Sequence, residues 1–138
     1  MRVAITGSSG LIGTALAGHL RSAGTEVIRL VRRPPATTDE VRWDPAADDG
    51  GLRWTTLRRV DAVVHLSGAP VAGGRWTAAR KRVLRASRID STAALVRVLL
   101  AADDPPPVLL DDTGTTIELL HAVPGFFTQK VLVVAAPW

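Results

Sequence analysis

Thr6-Gly7-Ser8-Ser9-Gly10-Leu11-Ile12-Gly13 places glycines at the spacing G-x-x-G-x-x-G. A backbone without Cβ atoms turns tightly and comes close to a bulky anion, so this spacing points to phosphate recognition. The chemistry needs a strand before the loop and a helix after it. The helix start then offers free N–H groups and the positive end of its dipole. Both elements are written in the flanking residues. Val3-Ala4-Ile5 is a short apolar run, and Leu11 to Ala23 carries Leu11, Ile12, Ala15, Leu16 and Leu20 on or near one helical face. Backbone groups around Ser9, Gly10, Leu11 and Ile12 are the expected pyrophosphate contacts, with the Ser8 hydroxyl assisting. A tight βα turn that binds nothing is the bland alternative. The strand and helix on either side favour a dinucleotide.

The second group of candidates lies past the next strand, Glu26-Val27-Ile28-Arg29-Leu30-Val31. A site for NAD usually places Asp or Glu about twenty residues beyond the glycines, where it accepts from the ribose 2′-OH. Here Val31 is followed by Arg32 and Arg33, with no carboxylate. A guanidinium carries a permanent charge and a fork of donors, which suits a 2′-phosphate. NADP is therefore expected in preference to NAD, against the reading of two solvated loop arginines. Asp44, after the possible third strand Val41-Arg42-Trp43, either sits near the adenine or forms a turn before Pro45. Ser67, Gly68 and Ala69 end the strong run Asp61-Ala62-Val63-Val64-His65-Leu66, at the carboxyl edge where open α/β sheets bind ligands. His65 lies inside that run and reads as a buried structural histidine rather than a catalytic one.

The elements that hold these residues describe a Rossmann-like, doubly wound α/β domain of three layers with a parallel sheet, in the expected order 3-2-1-4-5. Strand, glycine turn, helix and strand fit within about thirty residues, one βαβ unit with a right-handed crossover. Gly24 is the expected stop of the first helix. A long helix is expected from Thr77 to Ala101, with Val83, Ile89, Ala93, Val96 and Leu100 as its apolar stripe. Asp103-Asp104-Pro105-Pro106-Pro107 breaks it, and Val108-Leu109-Leu110 is the next strand. Asp111 to Thr116 reads as a turn. Val131-Leu132-Val133-Val134 is β-branched and apolar, which favours a strand.

The bulk properties set limits. The chain has 138 residues, 46% of them hydrophobic and 22% charged, which suits one folded domain with one core. It has no cysteine, which removes disulfides and thiolate metal sites and fits a reducing compartment. No run is long enough to span a membrane, and the N-terminus lacks a signal-peptide layout, so the cytoplasm is the expected location. A net charge of +4 suits an anionic ligand without choosing one. Arg80, Lys81, Arg82, Arg85 and Arg88 make half of the long helix basic. A solvated face explains them better than nucleic-acid binding, because no aromatic interleaving or nucleic-acid motif accompanies them. His19, His65 and His121 lack a zinc spacing, and the G-x-S-x-G nucleophile elbow is absent.

Thr6 to Gly13, Asp61 to Pro70 and Arg75-Trp76-Thr77 through Ser87-Arg88 to Thr92 together resemble the extended short-chain dehydrogenase/reductases. Within them the chain is similar to the NAD(P)-dependent epimerase/dehydratase branch. Trp43-Asp44-Pro45 and the Arg-Trp-Thr pattern resemble its epimerase-like subfamily, sometimes labelled a cell-division inhibitor. The resemblance runs from Met1 to about Leu110. It implies an NADP-binding domain, a small-molecule substrate, and a homodimer formed through the 77–101 helix. Many active members use a Tyr-x-x-x-Lys pair. The nearest match is Phe126-Phe127-Thr128-Gln129-Lys130, and the chain contains no tyrosine. Phenylalanine has no hydroxyl and cannot move a proton. Arg88 replaces an asparagine often found on this helix. After Leu110 the sequence departs as though residues were missing, and a substrate domain is not expected within these 138 residues. Two expectations result: an epimerase/dehydratase-like oxidoreductase domain, or a C-terminally shortened, non-catalytic module that binds cofactor or a partner.

Overall fold

The computed structural model describes residues 1–47, 51–52, 57, 59–71, 74–111, 116–119 and 131–133. In chain order the elements are β1 (Arg2–Thr6), α1 (Leu11–Ser22), β2 (Glu26–Val31), β3 (Glu40–Arg42), β4 (Ala62–His65), α2 (Ala78–Leu100), β5 (Val108–Asp111), β6 (Thr116–Leu119) and β7 (Val131–Val133). They form one sheet in the order β3-β2-β1-β4-β5-β6-β7. The pairs from β3 to β5 are parallel, as the βαβ pattern requires, so the expected order 3-2-1-4-5 is present. β6 and β7 continue the sheet in antiparallel pairing.

Alternation along β1 divides the core. Ala4 faces one side with Ile28, Leu30, Val63 and the α2 residues Leu95 and Leu99. Val3 and Ile5 face the other with Val27 and the α1 residue Ala17. One helix therefore covers each face, giving the three layers. Trp43 is fully buried in the α2-side core. It follows β3 rather than belonging to it, because its N–H bonds to the Val31 carbonyl while the strand itself spans Glu40–Arg42.

The helices bury different faces from those expected. In α1 the inward side is Gly13, Leu16, Ala17 and Leu20, whereas Leu11 and Ile12 are exposed and so is Ala15. In α2 the buried residues are Leu84, Ser91, Ala94, Leu95, Val98 and Leu99. Val83, Ile89, Ala93 and Leu100 point outward, and Val96 is only partly buried. Apolar residues surround α2, so a stripe at helical spacing can be drawn on more than one side. The side carrying the large leucines packs on the sheet.

Gly24 does end α1. It adopts φ +78, with its N–H on the Arg21 carbonyl and the Thr25 N–H on the Leu20 carbonyl, a Schellman closure. Beyond β5, Asp111 belongs to the strand and Thr116 opens β6, which narrows the expected turn. The strand expected at residues 131–134 is β7, and Val134 lies outside the described residues. So do the Phe126 to Lys130 segment and His121.

Candidate functional site

At the carboxyl edge of β1, β2 and β4 a cleft of ≈ 1010 Å³ opens between the start of α1 and the face of α2. Its floor is the glycine loop. Gly7 takes φ +65, and a Cβ there would stand 2.5 Å from the Leu66 carbonyl oxygen, so β1 and β4 meet only because the residue has no side chain. Gly13 has a different task. A Cβ on it would lie 2.3 Å from the Gly7 oxygen, so the glycine lets α1 press down onto the loop.

α1 begins at Gly10, which provides no side-chain cap, and its first turn contains no acidic residue. The amides of Leu11, Ile12 and Gly13 fall in that first turn, where no intrahelical acceptor exists. An anion over the glycine loop would meet unpaired donors and the positive end of the helix dipole. The residues present therefore fit a pyrophosphate.

Most of the candidates share this one cleft: Gly7, Ser8, Ser9, Gly10, Arg32, Arg33, Ser67, Gly68 and Ala69 all line it. Leu11 and Ile12 expose their side chains, at 92% and 67%, and neither is among the residues lining the cleft. Gly13 is buried beneath the loop. Asp44 is not part of the wall. Its Oδ1 accepts the Ala46 N–H at 3.0 Å, which is the contact of a turn-former, while Trp43, Pro45 and Ala46 supply the wall beside it.

At the arginine end, the Glu40 side chain is only 1% exposed and sits between Arg33 and Arg29. Arg29 also donates from Nε to the Ser8 hydroxyl at 3.3 Å, which connects this end to the glycine loop. Hydrogen bonds from Arg33, then from the Ala36 N–H, hold the Glu40 carboxyl down at about 2, from 4.5. A carboxyl depressed on folding stabilises the fold above its unfolded value. The contribution of Glu40 is therefore complete above 4.5 and is lost as pH falls toward about 2.

The wall from α2 is invisible to a reading of motifs. Ser87 accepts the Ala69 N–H at 2.9 Å and donates to the Leu84 carbonyl at 2.9 Å. Arg88 reaches the Ala69 carbonyl at 3.3 Å, bracing the loop after β4. Ser91 donates to the Ser87 carbonyl at 2.6 Å, so its oxygen accepts from His65 Nε2–H at 3.1 Å. His65 Nδ1 then accepts from the Thr6 hydroxyl at 2.7 Å, and Thr6 Oγ1 accepts the Leu66 N–H at 3.1 Å. The ring also stands edge-on to Trp43, 5.9 Å between centroids. The arrangement gives both ring nitrogens of the buried imidazole a partner and ties β1, β4 and α2 together beneath the cleft. The available signal was two serines, Ser87 and Ser91, four residues apart on the inward side of α2.

Residues 3–113 match the model of the NAD dependent epimerase/dehydratase family. The chain belongs to that family. An epimerase family protein of Mycobacterium bovis is 50% identical over 93 residues, which is 67% of this chain and 30% of the relative. Among solved structures, human epimerase family protein SDR39U1 with NADPH superposes with TM-score 0.65 at 30% identity, over 80% of this chain and 36% of that one. MoeE5 in complex with UDP-glucuronic acid and NAD superposes with TM-score 0.54 at 26% identity, over 72% of this chain and 33% of that one. The chain thus spans about a third of the length of the relatives it matches. No helix among the described residues is long and apolar enough to cross a membrane.

Proposed function

We propose that this chain holds NADP(H) in the cleft above the glycine loop, as the dinucleotide-binding domain of an epimerase/dehydratase-like oxidoreductase acting in the cytoplasm on a small-molecule substrate. The observation that carries this reading is the uncapped start of α1, set in a cleft that Gly7 to Gly10 floor and Arg32 and Arg33 close. The loop amides take the pyrophosphate, and the arginine end takes the 2′-phosphate in preference to a bare ribose hydroxyl. Ser67, Gly68 and Ala69 line the wall after β4. When bound, the nicotinamide supplies or accepts a hydride. The chain's own part is to bind, orient and shield the cofactor. The NADPH carried by the human relative supports this cofactor, and the NAD carried by MoeE5 marks the alternative. Titration with NADPH and NADH, followed through the fluorescence of buried Trp43 in the cleft wall, tests the reading. Saturation by NADPH at a lower concentration than by NADH is expected. No saturable change at millimolar cofactor would sink it.

One observation favours a second reading. The sequence has no tyrosine, and Phe126 stands where the family resemblance expects the phenol. Under this reading the chain binds the cofactor as a module without turnover. Cofactor-dependent turnover of nucleotide sugars or small carbonyls by the 138-residue chain would reject it. The outward Ile89 and Leu100 of α2 support a homodimer through that helix. Sedimentation of a monomer at tens of micromolar would remove that part.

A further inference from the structure

Arg32 and Arg33 are neighbours in sequence, yet their donors are used differently. Arg33 donates to Glu40 from both terminal nitrogens, Nη1 to Oε2 at 2.8 Å and Nη2 to Oε1 at 2.6 Å. Its Nη1 also donates to the Pro34 carbonyl at 2.9 Å. A guanidinium has five N–H donors, and these bonds take three of them, the whole Nη1/Nη2 edge, leaving only the Nε side for a ligand. Arg32 lines the same cleft, is exposed, and has no hydrogen bond or ion pair among the described residues.

Glu40 is fixed in this role by the sheet. The parallel register pairs Arg29 with Glu40, which sets a β3 carboxylate beside Arg29 of β2, and Arg33 reaches it from just past the strand. Arg29 Nη1 lies 3.1 Å from Oε1, and the Ala36 N–H donates to Oε2 at 2.8 Å. A buried carboxylate with this many donors does not swing away when a ligand arrives. A bidentate carboxylate and a phosphate ask for the same two parallel N–H groups. Glu40 thus occupies on Arg33 one of the two edges that a 2′-phosphate could use, and its charge balances the guanidinium.

We propose that Glu40 is a positioning residue for cofactor selectivity: it occupies the Nη1/Nη2 edge of Arg33 and balances its charge, gives Arg32 the larger share of the 2′-phosphate, and keeps the preference for the phosphorylated dinucleotide below what two free arginines would give. This rests on the reading of the cleft as a dinucleotide site. The function proposal treats the arginine end as one unit, whereas here the two side chains have unequal shares and a third residue sets them.

The test is the ratio of the NADH and NADPH dissociation constants in the whole chain, for wild type, Arg32→Ala, Arg33→Ala, Glu40→Gln and the Arg32→Ala/Glu40→Gln double variant. Loss of a charge-assisted phosphate contact in Arg32→Ala lowers the ratio by about 10- to 100-fold. Arg33→Ala lowers it by less than about threefold, because its Nη1/Nη2 edge is already engaged and Glu40 balances its charge. Glu40→Gln frees the Arg33 fork and raises the ratio by about three- to tenfold, in the wild-type and the Arg32→Ala backgrounds alike. A purely structural role for Glu40 predicts something else: both cofactors weaken together and the ratio stays fixed. That result overturns the proposal, as does an Arg33→Ala loss equal to that of Arg32→Ala. Should Glu40→Gln fail to fold, the comparison of the two arginine variants still decides. Wild type binding neither dinucleotide removes the cleft reading and this inference with it, whereas binding of both with an unmoved ratio removes this inference alone.

Discussion

The two helices begin in opposite ways. α2 is closed by its own sequence: the Thr77 hydroxyl accepts the Arg80 N–H at 3.1 Å, so one amide of the first turn is used internally. α1 begins at Gly10 with no capping side chain, and Gly10 itself lines the cleft. A side-chain cap stabilises a helix by satisfying donors. Omitting one costs stability and leaves those donors for an anion. Under the proposed function, the difference separates a helix start that serves the fold from one that serves a ligand. Neither first turn contains an acidic residue, so no nearby carboxylate blurs the contrast.

The largest expected effect comes from breaking the α1 side at Gly7. Alanine there must accept φ +65 and a Cβ 2.5 Å from the Leu66 oxygen. A left-handed conformation costs about 1–2 kcal/mol and overpacking about 1–3 kcal/mol more, so Gly7→Ala loses roughly 2–5 kcal/mol of stability. Urea unfolding measures it, and a loss below about 1 kcal/mol would contradict the close approach of β1 and β4.

Gly10→Ser makes α1 resemble α2. Gly10 has φ −75 and ψ 172, which any residue adopts, and a Cβ would approach only the Gly7 oxygen at 3.3 Å. Serine for glycine at an N-cap changes stability by only a few tenths of a kcal/mol. The new hydroxyl takes an amide from the ligand and intrudes on the cleft, so NADPH binding weakens about tenfold, or about 1.4 kcal/mol. Stability and affinity then move independently. An unchanged dissociation constant, measured by titration, would mean that the open start of α1 is not where the anion sits.

The same contrast explains how much of the molecule could be read in advance. The glycine loop was legible because most of its demands are local: the turn, the Gly13 contact and the helix start lie within Thr6 to Gly13, and only the Gly7 contact reaches out to Leu66. Strand order was legible because short βα links leave a right-handed parallel crossover as the available route. The buried faces of the helices were not. Val83 and Leu84 are adjacent apolar residues, and only the tertiary position of the sheet decides which one is buried. Glu40 was missed for a similar reason. Its partners Arg29 and Arg33 are set by the register of β2 on β3, which no spacing rule fixes. The serines of α2 look like ordinary helix residues until His65 and Ala69 come within hydrogen-bond distance.

The smallest effect probes the α2 side. Thr77→Ala removes the cap from a helix whose start is electrostatically unfavourable, since Arg80 and Lys81 lie close to the positive end of the dipole. No acidic side chain in the first turn offsets them. The hydroxyl is therefore a main favourable contact at that end, and its loss is expected to cost about 1 kcal/mol. Thr77 is not part of the cleft wall, so the NADPH dissociation constant should stay within about twofold of wild type. Gly10→Ser and Thr77→Ala thus form a mirrored pair, one acting on affinity and the other on stability. If Thr77→Ala weakens the cofactor as strongly as Gly10→Ser does, the start of α2 also serves the site, and the division between the two helix starts fails.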